Sequence, residues 1–193
     1  MRLTRADLDG YRGRTLPDLV GTPTRLLFVG FNPGLRSVAV RAHFGGGSNR
    51  FYPALHAAGI TDHRIDASAG FGPEDLRHLQ ERGIGITSLV GGATARADQL
   101  SGAELVAGAA ALAARVAADP PAVVAILGIT AYRSAFERPH AVLGPQADLL
   151  AGVPVRVVPN PSGLNRHASL ADLAAAYREA AAAAGIEPFP PIG

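Results

Sequence analysis

Two stretches of this chain read almost alike: FVGFNPGL at residues 28–35 and VVPNPSGL at 157–164. Each is an apolar, strand-forming run that ends on Asn-Pro. The pair places Asn32 and Asn160 where a chain of this kind commonly carries chemistry. An asparagine cannot titrate or attack. Its amide offers one acceptor oxygen and two N–H donors. It can therefore hold a water in line with an electrophile, or read the edge of a base, but it cannot serve as a strong general base. Proline biases the residue before it toward extended backbone, so both asparagines are expected to prolong their strands. Gly34 then permits a sharp turn or a close approach by a ligand.

A second candidate stretch is RAHFGGGSNRFY at 41–52. Phe44 precedes three glycines, which makes it either a core residue or a stacking platform for a planar ligand. Arg41 and Arg50 flank it and suit phosphates. A third is Asp98 in TARADQLS, expected between a strand and a helix. It reads either as a loop acid facing solvent or as a catalytic carboxylate at the same mouth as Asn32.

Bulk composition narrows the class. The chain has 193 residues, 48% of them hydrophobic, which suits one globular domain with its own core. It has no cysteine, which removes disulfides, thiolate metal sites and cysteine-held iron–sulfur clusters. The six histidines show no ligand spacing such as His-Glu-x-x-His, so neither a metal nor a cofactor is expected. All 18 basic residues are arginine, so no lysine is available for a Schiff base. A net charge of +2 permits nucleic-acid binding without requiring it. The first residues lack the apolar core of a signal peptide, and no apolar run has the length of a membrane span. A cytoplasmic, nucleoid-associated protein of bacterial type, without a membrane partner and monomeric, is the expectation.

The elements that must position these residues follow from periodicity and caps. Strands are expected at 25–31, 84–90, 122–128 and 153–159. Helices are expected at 49–60, capped by Ser48 or Asn49, at 72–83 with Pro73 in the first turn, and at 130–137. Residues 101–118 open with the capping box Ser101/Glu104 and read as a buried helix, and residues 169–185 form a capped helix. The tail after 185 reads as irregular. Strands that alternate with helices give an α/β fold, a three-layer α/β/α sandwich around a mainly parallel sheet. Ligands bind beyond the carboxyl ends of such strands, so topology alone predicts a shared mouth for Asn32 and Asn160.

Taken together, LPDLV, LLFVGFNPGLRS, NRFY, GIGITSLV, AILGITAY and VVPNPSGLNR resemble the mismatch-specific uracil-DNA glycosylase family, which includes the thymine-DNA glycosylases. The likeness spans about residues 16 to 180, with the first-strand and last-strand motifs the specific ones. The resemblance implies removal of uracil from G·U mispairs in double-stranded DNA, and action on single strands as a further substrate. It implies that Asn32 positions the attacking water and that the backbone at Phe31 contacts the base. Phe44 would stack on the flipped uracil, and Ser37 would lie beside the pyrimidine 5-position. Asn49 and Arg50 would form or support the pocket, with Arg50 also contacting DNA, and Asn160 would lie near the flipped nucleotide. The NPSGLNR loop would be the wedge: Leu164 enters the stack, and Gly163, Asn165 and Arg166 contact the opposite guanine or its neighbours. The chain departs from the family pattern at Phe31, where a smaller aliphatic is common, at Ser88, where lysine is often seen, and at Asn165, where serine is common.

Two rival readings stay open at this point. One is a nucleic-acid binder without catalysis on the same fold. The other is a small-molecule nucleotide enzyme, against which stands the lack of G-x-G-x-x-G and of a P-loop.

Overall fold

The computed structural model describes residues 4–96 and 99–190. In chain order these residues form α1 (Arg5–Asp9), β1 (Leu26–Gly30), α2 (Leu35–Val40), α3 (Phe51–Ala57), α4 (Pro73–Glu81) and β2 (Ile84–Ser88). There follow α5 (Gly102–Ala118), β3 (Val123–Leu127), α6 (Ile129–Ala135), β4 (Gly144–Pro145), β5 (Val155–Val158) and α7 (Leu170–Ala183). The strands make one sheet in the order β2-β1-β3-β5-β4. Every neighbouring pair is parallel except β4 with β5.

The apolar runs of the strands are long because both sheet faces are covered. Leu26 and Phe28 of β1, with Val123, Ala125 and Leu127 of β3, face one core, where Phe51, Leu55, Leu79, Leu173 and Tyr177 pack. Val29, Val124, Ile126, Val155 and Val157 face the other, against Leu105, Leu112 and Val116 of α5 and Tyr132 of α6. Successive side chains thus alternate between two buried layers, and the polar residues of the strands are confined to Thr87 and Ser88 at the end of β2 and Arg156 in β5. The α/β/α sandwich expected from the sequence is the observed architecture.

The helix caps also follow the sequence. Ser101 and Glu104 form a reciprocal capping box on α5, and Ser169 with Asp172 does the same on α7. Four details differ from expectation. The helix expected from residue 49 starts at Phe51, with Arg50 at the cap position, and Asn49 Oδ1 instead accepts from the Phe51 N–H at 2.9 Å. Only one stripe of α5 is buried, Leu105, Gly108, Ala109, Leu112 and Val116, so its alanines are largely a solvent face. The strands end at Gly30 and Val158, each two residues before its asparagine. Gly34 sits at φ −70°, an ordinary conformation, where it caps α2. Two short helices, α1 and α2, and the two-residue edge strand β4 add to the sequence reading.

The strand order reverses direction of growth at β1, whose neighbours are β2 and β3. The loops after β1, β2, β3 and β5 therefore gather at one edge, beside the point where crevices open in such sheets. The loop after β2 is held down by α5: a Cβ added at Gly108 would lie 2.6 Å from the Leu89 carbonyl oxygen. Gly108→Ala should therefore destabilise the fold by about 1–3 kcal/mol despite alanine's better helix propensity, because the obstacle is backbone. A thermal melt tests this; a Tm equal to or above the parent's would show that α5 can move away freely.

Candidate active site

At this edge opens a cleft of about 550 Å³, lined by the loops after β1, β2 and β5, by Leu127 at the end of β3 and by residues of the segment 43–49. Of the residues singled out in the sequence, Phe31, Asn32, Ser37, Phe44, Asn49, Asn160, Gly163 and Leu164 line it. Arg50, Asn165 and Arg166 do not line the cleft, and Asp98 lies outside the described residues.

Asn32 is held by its nitrogen. Nδ2 donates to the Gly92 carbonyl at 3.1 Å, to Thr94 Oγ1 at 2.8 Å and to the Pro33 carbonyl at 3.3 Å. A carbonyl can only accept, so the side that faces Gly92 must be the NH₂. Thr94 gives its single hydroxyl proton to the Arg96 carbonyl at 2.8 Å and is left as an acceptor toward Asn32. The amide is thus fixed with both N–H groups occupied and Oδ1 left without a donor among the described residues.

Asn160 is held the opposite way. Its Oδ1 accepts from the Ser162 N–H at 2.9 Å, which can only donate. Its Nδ2 makes no hydrogen bond among the described residues, so its two donors remain available. The two asparagines at one mouth therefore present complementary ends, an acceptor after β1 and donors after β5.

Phe44 holds a left-handed backbone at φ 56°, rare for an aromatic residue and costing about 1–3 kcal/mol. Its ring packs on Phe51 with centroids 4.2 Å apart and lies against Gly30, where an added Cβ would come 3.2 Å from Cζ. A half-buried ring so braced on the cleft wall presents a flat apolar surface. Ser37 and Ser88 are buried polar residues of the lining. His43, also buried in the wall, donates from Nε2 to the Pro17 carbonyl at 2.9 Å, which leaves Nδ1 as an acceptor. Burial holds its pKa below the ordinary histidine range, outweighing the pull of the Pro17 bond and Asp18 in the other direction. Among the described residues the lining includes two arginines, Arg36 and Arg96.

The loop at 159–166 is stiff. Arg50 sends Nη1 to the Ala168 carbonyl at 2.6 Å, and Nη2 to the carbonyls of Ser162 at 3.2 Å and Asn165 at 2.8 Å. Its N–H also donates to the Pro161 carbonyl at 2.9 Å. The sequence reading gave Arg50 a DNA contact; the structure directs its guanidinium to the loop's own carbonyls. Asn165 is likewise turned inward, its Nδ2 donating to the Asn160 carbonyl at 2.9 Å. At Gly163 an added Cβ would meet the Ser48 carbonyl at 2.5 Å, so the loop lies directly on the strip that precedes α3. From this braced base Leu164 projects with 91% of its surface exposed. Arg166 is exposed beside it.

Residues 17–183 match the Uracil DNA glycosylase superfamily. The chain belongs to that superfamily. The same fold appears in the solution NMR structure of a candidate uracil DNA glycosylase from Methanosarcina acetivorans, at TM-score 0.57 and 16% identity, over 87% of this chain and 98% of that one. Lining residues that sequence reasoning missed include His43, Thr94 and Arg36, while Ser88, noted there only as a departure from the family pattern, also lines the cleft. Thr94 was findable in principle, since an amide that places a water needs something to fix its own orientation.

The buried, neutral His43 has a consequence for pH. Its folded pKa is depressed, so between that value and the ordinary histidine pKa the unfolded chain binds a proton that the folded chain refuses. Stability should fall as pH drops through that window. In His43→Gln, which keeps a donor for Pro17, the loss of Tm between pH 7 and pH 5 should be smaller than in the parent; equal slopes would mean that His43 is not the titrating group.

Proposed function

We propose that this protein is a monofunctional DNA glycosylase that hydrolyses the N-glycosidic bond of uracil in G·U mispairs, acting as a monomer on double-stranded DNA. The observation that carries the reading is the orientation of Asn32, whose two N–H groups are engaged by Gly92 and Thr94 while its oxygen stays open on the cleft. That oxygen accepts one hydrogen of a water and aims the lone pair of the water at the sugar.

The chemistry asks little more of the protein. The C1′–N1 bond breaks with its electron pair moving to uracil, and the sugar passes through an oxocarbenium-like state. Water then adds at C1′ and gives a proton to solvent, from which the departed uracil anion takes one up in turn. Placement matters more than deprotonation, which is why an amide suffices. Backbone N–H groups around Phe31 stabilise the departing uracil anion, and such donors are typically worth about 10²–10³ in rate. Phe44 stacks on the flipped base, with Ser37 beside its 5-position and Asn49 supporting the wall. The donors of Asn160 face the sugar or phosphate of the flipped nucleotide.

Base flipping costs least at a mispair, which favours G·U over a normal pair. Leu164 fills the space that the base leaves. Arg50 and Asn165 act by holding that loop, while Gly163 and Arg166 face the duplex. With no lysine in the chain, water is the nucleophile and the abasic strand is left intact. Asp98 is assigned no step.

Asn32→Ala should slow single-turnover release of uracil from a G·U duplex by about 10²-fold or more, with duplex binding little changed. A rate equal to the parent's would reject Asn32 as the water-positioning group. A parent protein that binds G·U duplex and releases no base would instead identify a binder without catalysis.

Leu164→Ala should reduce release from duplex more than from single-stranded DNA, because only the duplex has a stack to fill. Equal losses on the two substrates would remove Leu164 from the wedge role.

A further inference from the structure

On the flank of α4, among residues that do not line the cleft, lies a second cluster of ionisable groups. Asp62 and His63 occupy the turn after α3, and Asp75 and His78 stand one helical turn apart on α4. Asp62 Oδ1 is 2.6 Å from His63 Nδ1 and 3.4 Å from His78 Nε2. On the far side of the same imidazole, His63 Nε2 is 2.8 Å from Asp75 Oδ1. One ligand atom from each of Asp62, His63 and His78 lies within 4.8 Å of the other two.

A neutral imidazole has one N–H. If His63 gives it to Asp75, then Nδ1 turns a lone pair toward the Asp62 carboxylate at hydrogen-bond distance, which is repulsive. His78 Nε2 is a buried atom without a hydrogen-bond partner, and it faces the same oxygen. The three atoms thus converge on one point that a cation can occupy.

We propose that Asp62, His63 and His78 bind one divalent transition-metal ion of the zinc class, with Asp75 orienting His63 from behind. Two imidazole nitrogens and a carboxylate, without sulfur, select zinc, cobalt, nickel or copper over magnesium and calcium. A tetrahedral ion with bonds of about 2.1 Å needs ligand atoms roughly 3.4 Å apart. The Asp62–His78 separation already meets this; His63 must draw back from Asp62 and settle at the same spacing from His78, from which its ligand atom now lies within 4.8 Å. Asp62 and His63 are about half exposed, with side-chain accessibilities of 54% and 46%, so the turn can make that adjustment and water can complete the coordination. The carboxylate behind a ligating histidine, here Asp75, is the usual device that fixes the ring and raises its basicity.

The surroundings favour a structural role. The His78 ring stacks on Phe189 of the C-terminal segment at 5.9 Å between centroids, and the Arg82 guanidinium lies 4.5 Å from the Phe189 ring. Arg82 is the neighbouring cation that opposes the ion, but its donors are directed to the carbonyls of Ile60 and Glu187. Glu81, close to His78, acts in the ion's favour. An ion here would fasten the turn after α3 to α4 and, through His78, support the C-terminal segment. In the sequence His63 and His78 are 15 positions apart, outside any familiar ligand spacing, so only the fold brings them together.

The experiment uses the untagged full chain, stripped with chelator and titrated with zinc chloride by calorimetry and by thermal melt. Uptake of one ion per chain is expected, with a rise in Tm of about 3 °C or more at saturation. Binding should release protons, seen as a heat that varies with the ionisation enthalpy of the buffer. His63→Gln and His78→Gln should each bind at least tenfold more weakly, and Asp75→Asn about tenfold more weakly, while their metal-free Tm values report that they fold. Cobalt in place of zinc should give visible absorption bands of a four-coordinate ion. Absence of uptake by the parent, or equal uptake by the parent and by the double variant H63Q/H78Q, would overturn the proposal.

Discussion

The cleft end of this molecule depends on a small constraint, the fixing of one amide by its nitrogen. An asparagine at a strand end can present either of two faces that differ little in size and oppositely in polarity. Gly92 and Thr94 remove that freedom, and Thr94 can do so only because its own proton goes to the Arg96 carbonyl. This short relay requires the loop after β2 to lie beside the loop after β1. That in turn requires β1 and β2 to be neighbours, parallel and in register, with Gly30 opposite Ser88. The close seat of α5 on Leu89 holds the same loop from the other side. Packing at a distance is thus converted into the orientation of a single oxygen.

The loop after β5 shows the same economy. Asn160 is fixed by its oxygen and Asn165 closes back on it, while the Arg50 fork gathers three carbonyls from across the loop. A planar guanidinium suits this task because its donors diverge in a fixed plane. Buried carbonyls that would otherwise lack partners are satisfied, and the apolar tip is carried without being covered. Phe44 is held in a comparable way, its unfavourable backbone angle compensated by contact with Phe51 and Gly30.

Much of this was legible in the sequence, and what was hidden has a common cause. The strands declared themselves because both faces are buried, and α5 and α7 because their capping boxes are local. The shared mouth of Asn32 and Asn160 followed from topology. What escaped was every role set by a partner distant in sequence. Arg50 was expected both to support the pocket and to contact DNA, and a linear pattern could not show that its guanidinium turns to the Ala168 carbonyl 2.6 Å away. Thr94, His43 and the Asp62–His63–His78 cluster were silent for the same reason. Periodicity also misled in one place: an alanine-rich run reads as apolar throughout, yet in α5 alanine is small enough to face water at little cost.

The rigidity of the Arg50-braced loop has a consequence for where selectivity arises. A wedge that must fold around each target spends part of its interaction energy on ordering itself, and that part varies from one target to the next. A wedge already ordered contributes nearly the same to all of them. Within the proposed function, differences between base pairs then originate in the duplex, in how easily each pair opens on its own. The protein would rank lesions by their mechanical weakness, much as a fixed key ranks locks by the stiffness of their springs.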